Sequence, residues 1–308
     1  MTSSSRSAHF GRVLTAMATP FTTEGELDLP GAAVLARYLV ENGNDGIVVC
    51  GSTGENSVLT DDERVELWET VVSSVSVPVV AGSTSNDTIH SVELTKRAES
   101  AGVAGILAVT PYYNRPAQSG IEAHFREVAR STSLPVILYD IPIRSGRKIA
   151  ADTVLRLIKS EPNIVGLKDA SGEPATTARL LSLVPSYFEC YCGDDGLTLP
   201  LLSIGAVGLI GVASHWCGKE LKMMIDLFLD GKIDEALEIN RALVDSFSFE
   251  SGDDGPNPVP TKEMLKVLGL PGGPCRLPLG EPPEGLIDRA RVVLSDLELW
   301  RKSRTSRA

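Results

Sequence analysis

Apolar positions in this chain fall into two alternating patterns. Short continuous runs, bounded by Gly, Pro or polar residues, alternate with longer stretches in which apolar residues recur at helical spacing. The runs lie at 14–18, 46–50, 77–81, 105–109, 136–139, from 164 onward, at 187–192 and at 207–212. A short unbroken run reads as a strand buried on both faces. Between the runs the spacing predicts helices over about 29–42, 60–75, 88–101, 120–132, 152–159 and 174–184, and a short one ending near 204. Thr60-Asp61-Asp62-Glu63 is a capping box and fixes the start of the second helix. Residues 140–148 read as loop.

Eight runs alternating with helices predict an α/β fold, a (β/α)8 TIM barrel. An open doubly wound sheet would carry a Gly-rich fingerprint after its first strand, and none follows Ala18. From residue 219 only helical patterns remain, at about 221–230, 233–248, 261–268 and 283–302, with a loop over 252–260. The expected organisation is therefore a frayed tail over 1–10, a barrel core over 11–218 and a C-terminal helical region over 219–308.

Composition narrows the partners. The formal net charge of −11 argues against nucleic acid, because phosphate binding requires clustered Lys and Arg. No apolar run reaches the ~20 residues of a membrane span, so no membrane role is expected. The five cysteines have neither zinc-ligand spacing nor the density of a disulfide framework, and no metal site is expected. Together with the lack of a secretory pattern, they fit a reducing cytoplasmic compartment.

The candidate chemistry collects at the carboxyl ends of the predicted strands, the face that carries the active site in barrel enzymes. Ser52 and Thr53 follow the second run, Tyr112 and Tyr113 the fourth, Tyr139 ends the fifth, and Lys168 ends the sixth. A lysine at the end of a buried strand is costly unless it is paired or neutral. A neutral amine is a nucleophile toward ketones and forms a Schiff base. A tyrosine hydroxyl beside it can carry protons in both directions. Gly51 and Gly54 let backbone N–H groups approach an anion beside the Ser52 and Thr53 hydroxyls. Arg144, in the loop after Tyr139, can clamp a carboxylate through two hydrogen bonds.

Four segments carry a resemblance: Gly51-Ser52-Thr53-Gly54-Glu55, Pro111-Tyr112-Tyr113-Asn114, the stretch from Tyr139 to Gly146, and the stretch from Gly166 to Gly172. In order and spacing they resemble the dihydrodipicolinate synthase / N-acetylneuraminate lyase superfamily over about residues 11–300, and within it the synthase branch. The resemblance implies a homotetrameric class I aldolase-type barrel that holds pyruvate as an imine and needs no metal or organic cofactor. It implies Lys168, Tyr139, Tyr113 and Ser52 as catalytic residues, Tyr113 reaching into a neighbouring subunit's site. It implies Thr53, Arg144, Ile210 and Gly193 as substrate-binding residues, Arg144 for the carboxylate of aspartate semialdehyde. Ser52 stands where the synthases usually have Thr, and Asp140 replaces a common Asn. Another pyruvate-dependent aldolase or lyase, acting on N-acetylneuraminate, a sugar acid or a hydroxy-oxo acid, is the enzymatic alternative. A non-catalytic oxo-acid-binding barrel is the alternative from another class. The resemblance also implies a lysine-binding regulatory pocket whose histidine positions carry Asp61 and Arg64 here, and whose carboxylate position carries His90. That exchange predicts weak inhibition by lysine or none.

Overall fold

A computed structural model describes residues 8–250, 252 and 255–305. In chain order the elements are β1 (Val13–Ala16), α1 (Leu29–Glu41), β2 (Gly46–Val49), α2 (Asp61–Ser74), β3 (Val79–Gly82), α3 (Thr88–Ser100), β4 (Gly105–Val109) and α4 (Gln118–Arg130). They continue with β5 (Val136–Asp140), α5 (Pro142–Ser145), α6 (Ala151–Ser160), β6 (Ile164–Asp169), α7 (Pro174–Leu181), β7 (Glu189–Cys192), α8 (Thr198–Ser203) and β8 (Gly208–Gly211). Helices α9 (Ser214–Leu229), α10 (Ile233–Phe249), α11 (Val259–Val267) and α12 (Leu286–Thr305) complete the chain. The eight strands are parallel and close in chain order, β8 pairing back onto β1, so the fold is a TIM barrel with C-terminal helices.

Three apolar clusters follow from the strand alternation, since successive residues point to opposite faces. Leu14, Val48, Val80, Ile137, Tyr191 and Ile210 fill the barrel interior. Outward-facing residues such as Ile47, Val49, Ala81, Leu138 and Leu167 pack against the helices. A further cluster joins β7, β8 and β1 to α8–α12 through Cys190, Leu209, Trp216, Met224, Leu243 and Met264.

Three boundaries differ from the sequence expectation. Residues 1–7 of the expected tail lie outside the described residues. Phe10, however, is buried in the barrel interior, and the His9 N–H donates to Glu189 Oε1 at 2.7 Å, so Phe10 belongs to the core and the backbone is tied down from His9 onward. The expected division at 218/219 falls just past a kink in α9 at Cys217 (φ −128°), which joins a first turn beginning at Ser214 to the rest of the helix. Its first turn carries buried residues on every side (Ser214, His215, Trp216 and Cys217), so no one-sided stripe announces a helix there. The loop expected after Tyr139 contains the single-turn helix α5, started by Pro142 and ended by Gly146 in the left-handed region.

Candidate active site

Lys168 and Tyr139 are register partners on β6 and β5. The alternation turns both side chains inward and sends their neighbours Asp169 and Asp140 outward. Lys168 is only 4 % exposed, and its Nζ lies 4.4 Å from the centroid of the Tyr139 ring. The outward pair is structural. Asp169 accepts from the Ser171 N–H and the Thr177 hydroxyl, and Asp140 Oδ1 accepts from the Ile149 N–H at 3.1 Å. Burial pushes the Asp140 carboxyl up to about 7.

Gly193, at the end of β7, gives Lys168 its room. A Cβ there would lie 2.9 Å from Ala170 Cβ, 3.0 Å from Lys168 Cε and 3.1 Å from the Asp169 carbonyl oxygen. The segment after β2 forms the opposite wall. Cys50 takes a left-handed φ of 60°, a conformation that costs about 1–3 kcal/mol outside glycine. Gly82 makes that turn possible, because a Cβ on it would fall 2.2 Å from the Cys50 carbonyl oxygen. Thr53 is buried and its Oγ1 accepts from Asn257 Nδ2 at 2.8 Å, while Ser52 is half-buried.

One cavity of about 640 Å³ takes in Ser52, Thr53, Tyr139, Arg144, Lys168 and Gly193. Phe247 of α10, Glu250 and Asn257 line it as well. Asn257 ties two of the predicted residues together: besides bonding Thr53, its carbonyl accepts from Arg144 Nη2 at 3.2 Å. A buried ion pair fixes the loop behind Thr53 to α11, with Lys262 Nζ 2.5 Å from Glu55 Oε1 and the Arg276 N–H donating to Glu55 Oε2 at 2.9 Å. Both signs of charge line the cavity, Lys168 and Arg144 together with Asp194 and Glu250.

Two predicted residues lie elsewhere. Ile210 is fully buried in the interior core, and Val212, two residues on and one layer nearer the mouth, lines the cavity instead. Tyr113 is 89 % exposed with a left-handed φ of 70° and does not line its own chain's cavity. Sequence reasoning missed Asn257, Glu250 and the Glu55–Lys262 pair. The only local signal was Pro256-Asn257-Pro258, which reads as a turn.

The geometry agrees with what the chain is similar to. A curated 4-hydroxy-tetrahydrodipicolinate synthase from Acidothermus cellulolyticus is 48 % identical over 293 residues, 94 % of each chain. Among solved structures, a lysine-bound dihydrodipicolinate synthase from Cyanidioschyzon merolae superposes with a TM-score of 0.91 at 42 % identity, covering 95 % of this chain and 100 % of that one. The chloride-inhibited enzyme from Acinetobacter baumannii, complexed with pyruvate, gives a TM-score of 0.89 at 31 % identity, covering 94 % of this chain and 99 % of that one. The family model described as the dihydrodipicolinate synthetase family matches residues 9–295, and the chain belongs to that family.

Proposed function

We propose that this protein is a lyase that condenses pyruvate with aspartate semialdehyde to 4-hydroxy-tetrahydrodipicolinate, a step of diaminopimelate and lysine biosynthesis. One observation carries the reading: a buried lysine at the mouth of a barrel, stacked on a tyrosine, sharing a cavity with a hydroxyl-lined turn and an arginine. Lys168 Nζ attacks pyruvate C2, and loss of water leaves the imine. Tyr139 moves the protons of that dehydration. Ser52, Thr53 and the surrounding backbone hold the pyruvate carboxylate. Loss of a methyl proton turns the imine into its enamine, whose carbon attacks the aldehyde; a proton returns to the new alkoxide to give the hydroxyl, and Arg144 receives the aldehyde's own carboxylate. The amine of the aldehyde closes the ring and releases Lys168.

The assembly is part of the same proposal. Tyr113 stands exposed outside its own cavity, which supports the expected role in a neighbouring subunit's site and hence a homotetramer. No helix among the described residues is long and apolar enough to cross a membrane. The free cysteines, four of them buried, are compatible with the reducing cytoplasm in which we place the enzyme. An acceptor panel with pyruvate held constant tests the reading. Aspartate semialdehyde should be turned over far faster than sugar-derived aldehydes. Preference for a sugar aldehyde, or cleavage of N-acetylneuraminate, would overturn it.

A further inference from the structure

The acidic residues of the cavity have no part in the steps above. Glu250 follows α10 and lines the cavity with Lys168 and Arg144, yet it is only 8 % exposed and its Oε2 has no hydrogen-bond partner among the described residues. The turn that carries Asp195 packs against α10, so the two carboxyls are neighbours and repel each other. Asp195, in the turn after β7, is itself 1 % exposed and is held by two backbone donors, Val212 N–H at 2.8 Å and Ala213 N–H at 3.1 Å. Two adjacent buried carboxyls cannot both ionise, so the pair shares one proton and carries one negative charge. Burial and mutual repulsion push both groups upward. The other ionisable groups around them are Asp194, Lys168 and the buried Cys217.

We propose that Glu250, backed by Asp195, is the proton acceptor for the ammonium group of the amino-aldehyde. The inference rests on the condensation proposed above. After the carbon–carbon bond has formed, the nitrogen still carries a proton that prevents attack. That proton passes to the Glu250–Asp195 pair, which becomes neutral. The freed amine bonds to the imine carbon, the bond from that carbon to Nζ breaks, and Nζ leaves as an amine with the same proton returned from Glu250. Protons and electrons balance within the site, and no co-reactant is needed. A buried carboxyl oxygen with no partner among the described residues, in a cavity that already holds Arg144, suits an acceptor bearing both a carboxylate and an ammonium group, and ill suits a polyol.

The test compares the full-length wild type with Glu250→Gln, which keeps shape and polarity but cannot take the proton, and with Glu250→Leu. Borohydride trapping with pyruvate alone should give the same labelling of Lys168 in all three. With aspartate semialdehyde, steady-state turnover of both variants should fall by roughly 10²-fold or more, the scale of a lost general base. Trapping during turnover should then yield the mass of the open-chain condensed adduct on Lys168, where wild type yields mainly the pyruvate adduct. With succinate semialdehyde, which lacks the amine, the rate of adduct formation should be equal in wild type and variants. Turnover within about threefold of wild type would overturn the assignment, as a lost general base costs far more. Failure of both variants to form the pyruvate imine would overturn it too, because Glu250 would then act before the aldehyde arrives. Absence of condensation in wild type would instead overturn the underlying function.

Discussion

Gly193→Ala adds one methyl group beside the reactive amine. Its Cβ would sit 2.9 Å from Ala170 Cβ, 3.0 Å from Lys168 Cε and 3.1 Å from the Asp169 carbonyl oxygen. Ordinary carbon contacts lie at about 3.5–4.0 Å, so something must move by roughly half an ångström or more. Ala170 and Asp169 belong to the end of β6 and its following turn, and Gly193 is bonded to that same carbonyl through its own N–H at 2.7 Å. The lysine side chain is the softest of the three neighbours and should take most of the displacement. Overpacking of this kind costs about 1–3 kcal/mol, and misplacing a reacting group by an ångström costs on the order of 10²-fold in rate. We therefore expect imine formation with pyruvate, followed by time-resolved borohydride trapping, to slow by roughly 10–100-fold, with a fall in melting temperature of a few degrees. Wild-type trapping kinetics with an unchanged melting temperature would refute the packing argument and the position it gives Lys168.

Arg144→Ala should raise the KM for aspartate semialdehyde by roughly 10–100-fold, on the ~1.5–3 kcal/mol of a charged hydrogen bond, and leave the pyruvate KM nearly unchanged in steady-state assays. Asp140→Asn should stabilise the fold at neutral pH. The native carboxyl titrates at about 7 against 3.8 for an unperturbed one. As pH rises from 4 to 7 the unfolded chain therefore ionises first, stability is lost, and the loss levels off above 7. Asn keeps the bond to the Ile149 N–H, so the variant's advantage in melting experiments should be absent near pH 4 and reach on the order of 2–4 kcal/mol at pH 8; an advantage independent of pH would contradict this. Lysine should inhibit weakly or not at all. His90 Nε2 lies 2.9 Å from both Asp61 carboxylate oxygens, so the carboxylate that an effector's ammonium would need is already engaged. Half-inhibition below about 1 mM in initial-rate assays, an affinity near −4 kcal/mol, would contradict that.

The barrel was legible because each strand is buried on both faces and so appears as an unbroken apolar run, and because Thr60 and Glu63 form the capping box at the start of α2. Lys168 and Tyr139 were legible as chemistry because a polar residue ending such a run demands an explanation, and Thr53 and Arg144 because they follow runs at the same end of the barrel; all four share one cavity. Asn257 and Glu250 were not, since each acquires its meaning only when residues distant in sequence meet Thr53, Arg144 and Lys168 in one cavity. Asp61 sits in the first turn of α2, as the capping box implies, but its pairing with His90 was not legible, because the two are brought together only by the packing of α2 against α3. Phe10 shows the converse error: a polar N-terminal stretch reads as a frayed end, yet Phe10 is buried in the barrel interior and the His9 N–H is bonded to Glu189.

The central claim is that Lys168 carries pyruvate as an imine. Borohydride reduction in the presence of pyruvate, followed by peptide mass analysis, tests it most directly. The account predicts that the added mass lies on Lys168, that Lys168→Ala abolishes it, and that aspartate semialdehyde supplied before reduction diminishes it. Labelling of another lysine, or turnover retained in Lys168→Ala, would contradict the account.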